Sequence, residues 1–117
     1  MGTKTKVTGE ILLDDSAPAF SGATVYVRLE DTSLMDATAP VLAEQVLHRV
    51  SHAEGQPISF NLEGERPVNE QSRLNVSVHI SLHNSGEIRP GDYITVQSYP
   101  VLTHGNPDHV QVQVRRV

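Results

Sequence analysis

The chain has 117 residues, 38% of them hydrophobic and 4% aromatic, with a formal net charge of −5. Its nine basic residues are scattered, so the basic face that nucleic-acid binding needs is not expected. No apolar run approaches the roughly 18 residues that span a bilayer. The sequence has no cysteine, which excludes disulfides, thiolate metal ligands and thiol catalysis. A core of Val, Leu and Ile favours sheets, and the length fits one domain covering residues 1–117.

Alternation of apolar and polar residues predicts a series of short strands. In the clearest run, Leu74, Val76 and Val78 alternate with polar residues, and the same period continues to Leu82. Turn signals rich in Gly, Pro, Asn and Asp separate the runs. In chain order, the predicted strands are 4–13, 23–30, 41–51, 58–62, 74–82, 93–99 and 110–115. Gly9 lies inside the first of them and indicates a bulge or a close backbone approach.

Residues 41–51 fit two periodicities. On a helix, Leu42, Val46 and Val50 would share one side, and on a strand they would share one face with Glu44 and His48. We favour a strand, because every neighbouring element is a strand and a lone helix would need its own docking surface. The expected fold is therefore an all-β, antiparallel β-sandwich of about seven strands, immunoglobulin-like or transthyretin-like.

Two acids follow the second predicted strand. Asp31 and Asp36 lie five residues apart with Ser33 between them. Their spacing does not match the twelve-residue calcium loop. We interpret Asp31, Ser33 and Asp36 as a structural corner, in which side chains bond to the backbone where the chain crosses between layers.

Six histidines are the remaining candidates for chemistry. His79 and His83 lie on one face of a predicted strand, but four residues of strand put their Cα atoms about 13 Å apart, too far to share a metal. His48 and His52 could bind zinc together only on a helix. We find no Gly-x-Ser-x-Gly nucleophile motif and no phosphate-binding glycine loop. No catalytic residue, metal site or cofactor is expected, and a histidine metal-binding protein is kept as the less favoured alternative.

Four motifs, the first of them in two parts, resemble the YbaY/YscW family of lipoproteins. Residues 25–37, Val-Tyr-Val-Arg-Leu-Glu-Asp-Thr-Ser-Leu-Met-Asp-Ala, are similar to its Val-x-Leu-x-Asp-x-Ser-x-x-Asp stretch, and Ala-Glu-Gln at 43–45 to its Ala-x-Gln segment. Residues 55–62 resemble its Pro-Ile-x-Phe-x-Leu strand, and residues 73–80 its long strand before a glycine turn. Pro-Val-Leu-Thr-His-Gly at 100–105 is similar to the family's closing motif, Pro-Val-Leu-Thr-x-Gly.

The resemblance implies a small β-sandwich without enzyme activity. Its best-known members are pilotins, chaperones for an outer-membrane secretin ring. We therefore expect a chaperone that binds an outer-membrane protein or secretin segment through a groove or an open sheet edge. Candidate edges are the first strand and residues 99–103, with Tyr26, Tyr99 and Val101 as partner-binding residues; Tyr26 and Tyr99 are expected to be exposed. The alternative is a structural or accessory envelope domain. A monomer or weak homodimer is expected in either case.

The resemblance also implies the periplasm, or the periplasmic face of the outer membrane. The first seven residues, Met-Gly-Thr-Lys-Thr-Lys-Val, contain no apolar stretch like that of a signal peptide. The lipobox cysteine of the family is also missing from this sequence. The sequence therefore leaves a cytoplasmic location open beside the envelope.

Overall fold

The fold is built entirely from strands in the part of the chain that the structure describes. This computed structural model describes residues 5–13, 19–32, 41–53, 56–64, 73–82, 87–97 and 99–117. Nine strands lie in those ranges: β1 (Thr5–Leu12), β2 (Phe20–Asp31), β3 (Val41–His52), β4 (Ile58–Gly64), β5 (Leu74–Ser81), β6 (Tyr93–Ile94), β7 (Pro100–Val101), β8 (His109–Gln113) and β9 (Arg115–Arg116).

The strands form two sheets, of three and six strands. The smaller has the order β4-β1-β8, and the larger has the order β3-β2-β5-β6-β9 with β7 paired beside β5. On β2, Val25, Val27 and Leu29 are fully buried, while Arg28 between them is exposed. Inward residues of both sheets form one core, as the alternation in the sequence predicts. The all-β sandwich expected from the sequence is confirmed.

One strand pair departs from the antiparallel expectation. β8 runs parallel to β1, with Thr8 opposite His109 and Leu12 opposite Gln113. Gly9 makes this pairing possible, because a Cβ at Gly9 would lie 2.0 Å from the carbonyl oxygen of Val110. The predicted close backbone approach at Gly9 is therefore confirmed.

The ambiguous segment is a strand. β3 pairs antiparallel with β2, so that Ala43 lies opposite Leu29 and Gln45 opposite Val27. The register shifts near the end of β3, where Arg49 has a φ of 55°. Such a bulge changes the direction of the side chains next to it. Pairing with β2 thus determines that residues 41–51 form a strand, although their local propensity favours neither helix nor strand.

The strand predicted at 93–99 is interrupted. β6 has only two residues. Thr95, which follows it, makes two hydrogen bonds to Val78. Its backbone N–H donates to the Val78 carbonyl oxygen at 3.1 Å, and its Oγ1 accepts the Val78 N–H at 3.2 Å. β7 begins only at Pro100, which has no N–H to donate to a ladder. Because the interruption depends on a hydrogen bond to the Thr95 side chain, the alternation of apolar and polar residues in the sequence does not reveal it.

The edges of the sandwich differ from the expectation at one strand. β1 lies between β4 and β8, so the first strand is not an edge, and that expectation is wrong. β7, within the other expected edge, lies at the outer side of β5. Among the described residues, no helix is long and apolar enough to cross a membrane.

Candidate functional site

A cleft of about 510 Å³ lies beside β7, at the start of β5. Residues from the end of β2, the start of β5 and the loop after β7 form its walls. They are Thr32, Arg73, Leu74, Pro100, Thr103, His104 and Asn106. The cleft lies at one end of the larger sheet, where Leu74 pairs with Asp31 on one side and with Val101 on the other.

One wall of the cleft comes from a strained turn. Leu102 has a φ of 68°, and the N–H of Thr103 donates to the carbonyl oxygen of Val101 at 2.7 Å. A bond across a single residue of positive φ is the arrangement of the γ-turn that is rare and strained. A leucine pays a steric cost in this conformation that glycine avoids.

The same loop holds two further residues in the left-handed region. His104 has a φ of 55° and Gly105 one of 82°. Asn106 donates to the carbonyl oxygen of Thr103 from its backbone N–H (3.0 Å) and its Nδ2 (2.8 Å). Leu102 donates to the carbonyl oxygen of Pro107 at 3.0 Å. These bonds fix the loop, and backbone strain held in this way concentrates at binding and catalytic sites.

The opposite wall is anchored to β5. Thr32 donates to the carbonyl oxygen of Arg73 from its backbone N–H (2.8 Å) and its Oγ1 (3.1 Å). Arg73 and His104 are exposed at the rim, and Pro100 is an exposed apolar residue that also lines the cleft. The rim therefore places the guanidinium of Arg73 beside apolar surface, an arrangement that suits a peptide carrying an acidic side chain or a terminal carboxylate.

Tyr99 and Val101 lie beneath this region rather than on its surface. Tyr99 is 8% exposed and Val101 is fully buried. The hydroxyl of Tyr99 donates to the carbonyl oxygen of Gln113 (3.0 Å) and accepts the Gln113 N–H (2.9 Å). The expectation that Tyr99 is exposed is wrong, because its phenol satisfies the backbone at the end of β8.

Tyr26 is half-buried on the outer face of the larger sheet. Its ring stacks on His79 with centroids 5.6 Å apart, and the Arg28 guanidinium lies 5.9 Å from its centroid. Arg28 in turn pairs with Glu44 at 2.5 Å. An open depression of about 700 Å³ adjoins this face, lined by Gly22, Thr24, Tyr26, His48 and Arg49. The structure therefore does not bring Tyr26 together with Tyr99 and Val101.

A buried carboxylate that the sequence reasoning missed is bonded to His79, the ring on which Tyr26 stacks. Asp92 is fully buried and accepts hydrogen bonds from His79 Nε2 (2.9 Å), Leu82 N–H (3.0 Å) and Arg89 N–H (3.1 Å). Burial raises the pKa of Asp92, but the hydrogen bonds from His79, Leu82 and Arg89 and the charge of His79 outweigh it, so the pKa is lowered. In the sequence, Asp92 follows Pro90-Gly91 and resembles an ordinary turn residue.

The structure tests little of the corner and histidine interpretations. Asp31 is half-buried at the end of β2, while Ser33 and Asp36 lie outside the described residues. His48 is exposed and His52 is buried, with His52 Nδ1 donating to the carbonyl oxygen of Gln56 at 3.1 Å. Among the described residues, no group of three His, Cys, Asp or Glu side chains is placed to hold a metal. The structural role of the corner stays a prediction.

Comparisons with known proteins agree with the fold. The family described as type III secretion system lipoprotein chaperone (YscW) matches residues 3–114. A search of curated proteins finds no match. Among solved structures, an alternative pilotin from the type II secretion system of Vibrio cholerae is 30% identical, with a TM-score of 0.79 over 98% of each chain. The chain therefore belongs to the YscW family of secretion-system lipoprotein chaperones.

Proposed function

We propose that this chain is a non-enzymatic chaperone of the pilotin type, acting at the periplasmic side of the cell envelope. Its partner is an extended segment of a secretin or a similar outer-membrane protein. Membership in a family of lipoprotein chaperones supports this proposal, as does the likeness to a pilotin structure over 98% of each chain. The sequence contains no Gly-x-Ser-x-Gly nucleophile motif and no phosphate-binding glycine loop, either of which would favour an enzyme.

We place the partner segment in the cleft beside β7. The observation that carries this choice is the loop at 102–105, which holds two residues other than glycine, Leu102 and His104, at positive φ. Strain of this kind persists only where surrounding bonds enforce it, and it accumulates where a surface must keep one shape. This loop forms the last four residues of the Pro-Val-Leu-Thr-x-Gly segment that carries part of the family resemblance.

The charge at the rim indicates what the segment contains. Arg73 and His104 line a cleft in a chain whose formal net charge is −5. The guanidinium of Arg73 in this negatively charged chain favours a partner that presents an acidic side chain or a carboxyl terminus there. Apolar side chains of the segment would contact Pro100, while buried Tyr99 and Val101 hold the cleft in place from below.

The test is a binding titration with a synthetic peptide that covers the C-terminal segment of a secretin. We expect Arg73→Glu to weaken binding by about tenfold or more, since it replaces attraction with repulsion at a rim charge. Arg116→Glu is the matched control: it makes the same charge change on exposed β9, which pairs with β6 at the far end of β5. Calorimetry with both variants at low salt measures the difference.

Three outcomes of this titration contradict the proposal. No binding of the peptide by the unmodified protein below millimolar concentration contradicts the chaperone function. Equal losses with Arg73→Glu and Arg116→Glu would mean that net charge, and not the cleft, governs binding. A loss with Tyr26→Ala and none with Arg73→Glu would move the site to the outer face of the larger sheet.

A further inference from the structure

β8 is an edge strand whose hydrogen-bonding groups are divided between its two sides. Thr8 donates to the carbonyl oxygen of Asp108 (3.0 Å), and Val114 donates to that of Leu12 (3.1 Å). These two bonds set the phase of the parallel ladder, so even-numbered residues of β8 direct their N–H and C=O toward β1. The backbone groups of His109, Gln111 and Gln113 therefore point to the opposite side.

Only part of that opposite side is closed. At Gln113, the hydroxyl of Tyr99 bonds to both backbone groups. For His109 and Gln111, none of the described residues bonds to the outward N–H or C=O. β8 thus presents two donors and two acceptors, spaced as in one half of an antiparallel ladder.

The open edge lacks the features with which proteins block unwanted pairing. Residues 109–113 are His-Val-Gln-Val-Gln, with no Lys, no Pro and no acidic residue. Val110 is half-buried on the inner side, and His109 and Gln111 are exposed on the outer side. Between His109 and Gln113 the edge carries no Lys, Arg, Asp or Glu, and it is rich in valine, a residue of high β-propensity.

We propose that this edge pairs with β8 of a second copy of the chain, antiparallel and centred on Val110. In this register His109 lies opposite Gln111 of the second copy, and the reverse, so every open donor and acceptor finds a partner. The new ladder ends before Gln113, because the hydroxyl of Tyr99 already occupies the outward side of that residue.

Self-complementarity is the argument for a second copy rather than another segment. The two-fold axis places Val110 against its own equivalent on the inner side and places no like charges opposite each other on the outer side. The two three-stranded sheets would join into one six-stranded sheet. Since four backbone bonds and few side chains form the contact, the dimer is weak and depends on concentration.

Sedimentation equilibrium over a wide range of protein concentration tests the proposal. We expect the average mass to rise toward twice that of one chain as concentration increases. Gln111→Pro removes one outward N–H per copy while leaving the bonds to β1 in place, and we expect it to raise the dissociation constant at least about tenfold. Gln111→Ala keeps the N–H and should associate like the unmodified protein.

Amide hydrogen exchange supplies a second measurement. We expect exchange at His109 and Gln111 to slow with concentration, while the N–H of Gln113 stays protected throughout by Tyr99. A monomer at every concentration overturns the proposal, as does equal association of Gln111→Pro in a variant whose thermal melt shows that it folds. Slowed exchange at His109 and Gln111 only after addition of the secretin peptide would also overturn it, and would assign the edge to the partner.

Discussion

Gly9 shows how one missing side chain permits a strand pairing. A Cβ there would lie 2.0 Å from the carbonyl oxygen of Val110 and 2.6 Å from Cζ of Phe60. The first contact is with backbone, so a flexible side chain cannot relieve it. Gly9 therefore holds β1 close enough to β8 for the parallel ladder and to β4 for the antiparallel one.

Replacing this glycine should destabilise the protein by removing that close approach. We expect Gly9→Ala to lower the free energy of unfolding by about 1–3 kcal/mol or more, as for other overpacked sites. Gly22→Ala is the control: Gly22 has a φ of 72° but nothing within 4 Å of the added Cβ, so backbone strain of about 1–2 kcal/mol is its cost. Urea denaturation compares the two. A smaller loss for Gly9→Ala than for Gly22→Ala would contradict the clash.

Asp92 is expected to make the free energy of unfolding depend on pH in the acidic range. Its carboxylate accepts one hydrogen bond from His79 in β5 and two from the segment that joins β5 to β6, and these bonds lower its pKa below the usual range. A group whose pKa is lower in the folded state stabilises the fold above its unfolded pKa. That stabilisation is lost as the pH falls below about 4 and through the lower pKa of the folded state.

In Asp92→Asn, the free energy of unfolding should therefore change less with pH in the acidic range than it does in the unmodified protein. An amide cannot accept all three bonds, so we expect a loss of about 1–3 kcal/mol near neutral pH. The difference from the unmodified protein should be smaller at about pH 3, below the usual pKa of an aspartate, because protonation of the unfolded chain then removes part of the stabilisation by the carboxylate. Urea midpoints at both pH values measure this. A difference that grows as the pH falls would show that Asp92 is not the group that titrates.

At the scale of the element, the loop after β7 and the bulge in β3 carry the same kind of strain. His104 and Arg49 are both exposed, and both have a φ of 55°. Glycine adopts this conformation without the clash that a Cβ introduces. The two positions differ in location: His104 lines the cleft, and Arg49 lines the depression on the outer face.

Variants at His104 and Arg49 separate the effect of backbone strain on stability from the effect of the cleft on peptide binding. We expect both His104→Gly and Arg49→Gly to raise the free energy of unfolding, by up to about 1 kcal/mol. Only His104→Gly should weaken binding of the secretin peptide, because it removes a side chain that lines the cleft and loosens the loop. Thermal melts and peptide titrations of both variants check this. Weaker binding with Arg49→Gly alone would favour the outer face instead.

At the scale of the whole molecule, the two sheets meet along one side of the sandwich at β3 and β4. Oε1 of Gln45, on the inward side of β3, accepts the N–H of Asn61 in β4 at 2.7 Å. A side chain thus supplies the bond that a neighbouring strand would supply within a sheet. This bond covers part of the edge of β4 and limits strand addition on that side.

Removing this contact should open that side of the sandwich. We expect Gln45→Ala to cost about 0.5–1.5 kcal/mol and to speed amide exchange at Asn61. Gln111→Ala is a matched control, because that glutamine is exposed and its side chain makes no hydrogen bond to the part of the chain that the structure describes. Unchanged exchange at Asn61 in Gln45→Ala would show that the side chain does not close the edge.

The sequence by itself determined the class of fold and the positions of the main strands. Period-two alternation is local, so β2, β4 and β5 are found within a few residues of their predicted bounds. The four family segments were likewise readable as sequence, and family membership is confirmed. Gly9 could be flagged because a glycine inside an alternating run has few structural reasons to be there.

Only the tertiary structure decided which strands pair and which residues they cover. The parallel pairing of β1 with β8 joins residues about a hundred positions apart, and no local pattern encodes it. That pairing makes β1 an interior strand, leaves β8 as an edge and draws Tyr99 inward to bond Gln113. The cleft likewise combines Thr32, Arg73 and His104 from separate parts of the chain, so it exists only once the sheets have formed.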